Sequence, residues 1–212
     1  MNLEKKYLWQ SVRFSAVFVV LIWLIKLLEI IGGESWSHWG ILPRHLQGIS
    51  GVFLAPLLHG SIAHLLSNTL PLFILLSTIS YFYREIVKYV FLVSYLFTNT
   101  WVWLFARESY HIGASGLVYS FFGFLVFSGI LRRQRALLTI SLITIFMYGG
   151  TIWGIFPQAL HISWESHLFG FFTGIILAYY FKDKELSIKD KNNILDDDPE
   201  YKRDFWNDVI EK

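Results

Sequence analysis

The chain has 212 residues, of which 54% are apolar and 18% aromatic, while charged residues make up only 16%. Soluble domains typically carry about a quarter charged residues, so this composition, with a mean hydropathy of +0.46, points to a membrane protein. The absence of cysteine excludes disulfides and thiolate chemistry. Basic residues dispersed between apolar runs argue against a nucleic-acid partner.

A bilayer core needs roughly 20 apolar residues per helix, within a range of about 17–25. Six segments meet this requirement, approximately 14–31, 62–82, 87–106, 115–131, 136–156 and 166–181. The expected organisation is a short N-terminal segment (1–13), a six-helix membrane domain (14–182) and a polar tail (183–212). The first span follows Lys5, Lys6 and Arg13, as a secretory signal would, but IGGESWS offers no small-x-small cleavage site. It also contains Lys26 and Glu29, which lie one turn apart and are able to pair.

The connection 32–61 is long and half apolar. Trp36 and Trp39 suit the membrane–water interface, and Pro43, Pro56 and several glycines argue against one continuous helix. It reads as a structured loop lying partly in the outer leaflet. The remaining connections sort by charge. Lys5, Lys6, Arg13, Arg84, Lys88, Arg132, Arg133, Arg135, Lys182 and Lys184 fall on one side, and only Arg44 and Arg107 on the other. The positive-inside rule places both termini in the cytoplasm, so loops 32–61, 107–114 and 157–165 face outward. The tail carries a net charge of −4 against +6 for the rest of the chain. It reads as a solvated segment without a packed core, with DFWNDVI as a candidate short helix.

Polar groups inside spans are costly and mark function. The second span opens with HGSIAHLLSNT, where His64 and Asn68 share a helix face. The fourth opens at Ser115, with Tyr119 one turn below, and the sixth carries His167 near its start. At about 1.5 Å per residue, all of these lie in the outer third of the bilayer. His167, Gly170, Gly174 and Ala178 form a small-residue stripe on the sixth span, and Gly116, Ser120 and Gly123 form another on the fourth. Such stripes permit close helix approach, and packing them together brings Ser115 within reach of His167. A serine becomes nucleophilic when a neutral histidine takes its proton. Attack on an amide also needs fixed donors for the oxyanion. Backbone N–H groups at the helix start, beside Gly113 and Gly116, and the side chains of His64 and Asn68 answer that need. No carboxylate orients His167, because Glu165 lies about 200° around the helix.

These residues resemble the rhomboid family of intramembrane serine proteases. The match rests on HGSIAHLLSN, GASG and SHLFGFFTG in the second, fourth and sixth spans, where family members carry His-x-x-x-Asn, Gly-x-Ser-Gly and His-x-x-Gly-x-x-x-Gly. The resemblance covers roughly residues 10–182. It implies an all-α, six-span bundle with a Ser115–His167 dyad and no third acid. It also implies oxyanion donors from His64, Asn68 and the Ser115 N–H, Tyr119 packed beside His167, and His59 matching a further family histidine. Expected substrates are single-span membrane proteins with small residues at the cut, and the small six-span plan resembles members of bacterial inner membranes. One departure stands out. Many bacterial relatives carry Trp-Arg in the first loop, where this chain has Ser50 and Gly51, so the loop must be anchored differently.

Three other readings fit the sequence less well. A non-catalytic rhomboid-like protein that binds membrane clients would usually lack the serine or the histidine. A transporter or channel would place charges deep in several spans. A metal site built from His38, His45, His111 and His161 lacks a recognised ligand spacing. No metal or cofactor is therefore expected, and the oligomeric state stays open.

Overall fold

The computed structural model describes residues 3–157 and 163–184. His161, the candidate helix DFWNDVI and nearly all of the tail lie outside the described residues. Among those described, six helices have at least 14 residues: α1 (Leu3–Gly32), α2 (Ile62–Phe82), α3 (Val87–Phe105), α4 (Ser115–Arg132), α5 (Arg135–Tyr148) and α6 (Trp164–Tyr180). No strand is formed among the described residues; the one β-bridge joins Ile41 to His111. Four stretches, Lys5–Gly32, Ile62–Phe82, Ser115–Arg132 and Arg135–Ile155, are long and apolar enough to cross a membrane. The chain is a multi-pass membrane protein with an all-helical fold.

Two segments depart from their expected bounds. The first helix begins at Leu3 rather than near residue 14. Its buried face runs through Ser11, Ser15, Phe18, Ile22, Lys26 and Glu29 at helical spacing, and the Ser11 and Ser15 hydroxyls donate to carbonyls one turn back. The Arg84 guanidinium covers the Tyr7 ring at 3.4 Å, holding the early turns. The fifth segment stops being α-helical at Tyr148 and tightens into a 3₁₀ turn over Gly149–Ile155, where the Gly149-Gly150 pair weakens the α-helix.

Helix α4 is the central element, buried on nearly every side from Gly116 to Gly129, and α6 packs most closely against it. A Cβ at Gly170 would overlap the Gly116 carbonyl, and one at Gly174 would overlap the Ser120 carbonyl. Only hydrogen at those two positions lets the backbones meet. At the far end, Arg132 donates to Ser128 on its own helix and to the Phe181 and Lys184 carbonyls after α6, clamping the two helices together.

The connection between α1 and α2 is ordered into short helical turns at Ser37–Trp39, Leu46–Gly48, Gly51–Leu54 and Ala55–Leu57. It is held from both sides. On the α1 side, Lys26 Nζ donates to Glu29 (2.7 Å) and to the His59 carbonyl (2.8 Å), while Glu29 accepts the Trp36 N–H (2.9 Å). On the α3 side, Tyr95 and Asn99 donate to the Phe53 and Val52 carbonyls, and Trp103 to that of His45. Arg44, in the left-handed region at φ 62°, sends its guanidinium to the Ala106 carbonyl.

Candidate active site

Gly113 sets the approach to α4. Its φ of +111° lies where side chains are strained, and its N–H donates to the Ala55 carbonyl at 2.8 Å. A Cβ there would stand 2.6 Å from the His64 ring. The chain turns at Gly113, Ala114 caps the helix, and Ser115 is its first residue. The first intrahelical bond is donated by Leu117 to the Ala114 carbonyl, so the Ser115 and Gly116 N–H groups precede the ladder, as at any helix start.

His167 lies in the first turn of α6, with Nε2 2.8 Å from Ser115 Oγ. Its other nitrogen, Nδ1, lies 2.9 Å from the Gly154 carbonyl. A carbonyl only accepts, so Nδ1 carries the proton and the Nε2 lone pair faces the serine. The ring is held flat against Tyr119, with centroids 4.2 Å apart and planes 5° from parallel. The Tyr119 hydroxyl in turn donates to the Thr151 carbonyl at 2.6 Å. Both carbonyls belong to the 3₁₀ turn after α5. Glu165 is turned away from His167 and is buried against Arg107, with 3.5 Å between Oε1 and Nε.

His64 opens α2, with its N–H capped by the Ser61 hydroxyl. Asn68, one turn further, uses an amide hydrogen on the His64 carbonyl and carries a second that this bond does not use. His59 packs against His64 with 5.1 Å between ring centroids. Its Nε2 accepts the Ala114 N–H at 3.4 Å, which requires a neutral ring. Burial, and secondarily the nearby His64, push His59 down to about 4, so it is neutral at physiological pH.

Ser115, His167, His64, Asn68 and Tyr119 line one cavity of about 610 Å³. Gly113 lies beneath the His64 ring and His59 just behind it, while Gly116, Gly170 and Gly174 form the seam that lets α4 and α6 meet. Sequence reasoning missed the Gly154 and Thr151 carbonyls. The usable signal was Gly154 itself, since a Cβ there would overlap the Tyr119 hydroxyl. It also missed Arg107, His111 and Ser163 in the cavity wall. The histidines weighed as metal ligands are engaged separately: His38 with the Ser35 carbonyl, His45 with Glu108, His111 with Ser163.

Gly113→Ala tests how closely this loop is fitted. The added methyl displaces His64 and strains the turn, so the variant is expected to stay folded but lose about 10²-fold in turnover, the scale of a lost oxyanion donor. Turnover of a transmembrane substrate, with circular dichroism as the folding check, measures it; unchanged turnover would refute the fit.

The Rhomboid domain family model matches residues 46–184. An uncharacterized protein of Mycobacterium tuberculosis is 32% identical over 179 residues, covering 79% of this chain and 74% of its own length. Its counterpart in Mycobacterium bovis gives the same figures. An uncharacterized protein of Mycobacterium leprae is 29% identical over 177 residues, covering 79% of this chain and 70% of its own.

Proposed function

Because the chain belongs to the rhomboid family, we propose that it is an intramembrane serine endopeptidase using Ser115 and His167. The observation that carries this reading is the 2.8 Å contact between Ser115 Oγ and His167 Nε2, with the opposite ring nitrogen tied to a backbone carbonyl. That tautomer is the one a general base needs. In the reaction Ser115 Oγ attacks the scissile carbonyl as His167 Nε2 takes its proton, and the negative charge moves to the carbonyl oxygen. His64, Asn68 and the Ser115 N–H donate to that oxyanion. The imidazolium then protonates the leaving amine, and the C–N bond breaks. Water entering the cavity gives its proton to His167, and its hydroxide attacks the acyl ester. His167 returns the proton to Ser115 as the ester C–O bond breaks.

The chain spans the membrane six times in this reading. At 19 and 17 residues, α3 and α6 fall within the length range of spanning helices. Both termini are cytoplasmic by the distribution of basic residues, so the cavity opens near the outer face of a bacterial inner membrane. Part of the first loop enters the outer leaflet, where its wholly apolar pocket, lined by Ile25, Trp36, Trp39, Leu54, Leu57 and Leu58, meets lipid. Substrates are single-span proteins that reach the cavity from the bilayer.

Labelling of the purified protein with a fluorophosphonate probe tests the dyad. Wild type is expected to label, and Ser115→Ala and His167→Ala to label at background. A folded wild type that does not label would favour the client-binding reading instead.

A further inference from the structure

We propose that His111 and Ser163 are positioning residues for the dyad, a second serine–histidine contact that fixes the first turn of α6 against the loop leading into α4. This deepens the reading of Ser115 and His167 as nucleophile and base, and rests on it. Ser163 Oγ lies 2.5 Å from His111 Nδ1. His111 stands four residues before Ser115, and Ser163 stands four residues before His167. The two contacts therefore join the same pair of segments, with serine and histidine exchanged between them. The hydrogens of the outer contact run in one direction. The Arg107 carbonyl only accepts, so His111 Nε2, 3.0 Å away, carries a proton. Burial lowers the pKa of His111, and in the resulting neutral ring Nδ1 accepts from the Ser163 hydroxyl. Ser163 Oγ in turn accepts from the Ser166 hydroxyl at 2.6 Å.

Both ends of this chain of bonds are tied to backbone. The N–H and carbonyl of the buried His111 pair with Ile41 of the first loop, at 2.9 and 3.0 Å. At the other end the Ser163 carbonyl accepts the Ser166 N–H at 3.1 Å and the His167 N–H at 3.4 Å. The brace thus reaches the backbone of the base itself. The glycine seam lets α4 and α6 meet closely, but apolar contact has no direction and tolerates sliding. A hydrogen bond weakens steeply off its axis, so the outer contact supplies the register that the seam does not. That register matters, because a misplacement of about 1 Å at reacting atoms can cost about 10²-fold in rate.

The test compares wild type, His111→Ala, Ser163→Ala and the double variant as full-length proteins in nanodiscs. Fluorophosphonate labelling of Ser115 is expected to slow about tenfold in each single variant. The double variant is expected to be no slower than His111→Ala, because both changes break one contact. Turnover of a transmembrane substrate is expected to lose the same factor in kcat, with KM near wild type. Hydrogen exchange is followed at the Ser166 and His167 amides. His111→Ala, 52 residues from Ser163, is expected to speed exchange there about tenfold. Unchanged labelling in Ser163→Ala, losses that multiply in the double variant, or exchange that His111→Ala leaves unmoved would each overturn the proposal. Should His111→Ala fail to fold, Ser163→Ala is set against Ser163→Thr, which keeps the hydroxyl. Recovery of the labelling rate by threonine supports the brace, and equal slowing by both overturns it. A folded wild type that does not label sinks the protease reading, while the exchange comparison still decides whether His111 holds the start of α6.

Discussion

Ser115→Ala is expected to lower cleavage of a transmembrane substrate by about 10⁴-fold or more, and His167→Ala to bring it to a similar floor. In the proposed mechanism the two residues act as one unit, since the hydroxyl is a nucleophile only while Nε2 takes its proton. The double variant is therefore expected to be no slower than either single one. Folding should survive, because the Ser115 side chain contributes one hydrogen bond, of order 1 kcal/mol. Initial rates in proteoliposomes, with thermal melting in parallel, measure both quantities. Cleavage by Ser115→Ala at more than a few per cent of wild type would dispose of the dyad.

The largest effect on stability is expected at Lys26 and Glu29. Lys26→Met takes the charged donor from the buried Glu29 carboxylate, which keeps the Trp36 N–H, and from the His59 carbonyl. Breaking one side of a buried ion pair costs about 3–5 kcal/mol, and a membrane surround offers no water to compensate. Glu29→Gln is expected to fall in the same direction. Lys26→Met/Glu29→Leu removes both charges and should recover much of the loss. It still frees the Trp36 N–H and the His59 carbonyl, so the first loop loosens and turnover stays low. Melting temperature and turnover of the three variants check this together. A Lys26→Met protein that melts with wild type would show that the pair anchors nothing.

Much of this was legible in the sequence, and the reasons are specific. The expected 62–82 segment coincides with α2 because an unbroken apolar run and the Ser61 cap define it. The glycine stripes gave the α4–α6 pairing, since small residues at three- and four-residue spacing leave few other ways to pack. The anchor of His167 was not legible. It is the backbone carbonyl of Gly154, and a carbonyl has no signature among side chains. The break at Gly149 was hidden because residues 136–156 are apolar throughout. Glu165 was rightly read as turned from His167, yet its burial against Arg107 depends on a loop contact that one helix's periodicity does not encode. The pairing of Lys26 with Glu29 followed from their spacing. Their grip on His59 and Trp36, thirty-three and seven residues away, did not.

Helix α4 is both the most enclosed and the least apolar of the four strongest membrane helices. Its most apolar stretch is 72% buried at a mean hydropathy of 1.4, against 28% and 2.5 for the first. Such a helix depends less on lipid contact, and more on the helices packed around it, than the first does. Its closest partner, α6, also carries His167. A nascent chain that has delivered Ser115 but not yet residue 167 holds a helix awaiting its closest neighbour and a hydroxyl without its hydrogen-bond partner. In the proposed mechanism, closing α6 against α4 and pairing Ser115 with His167 are thus one event.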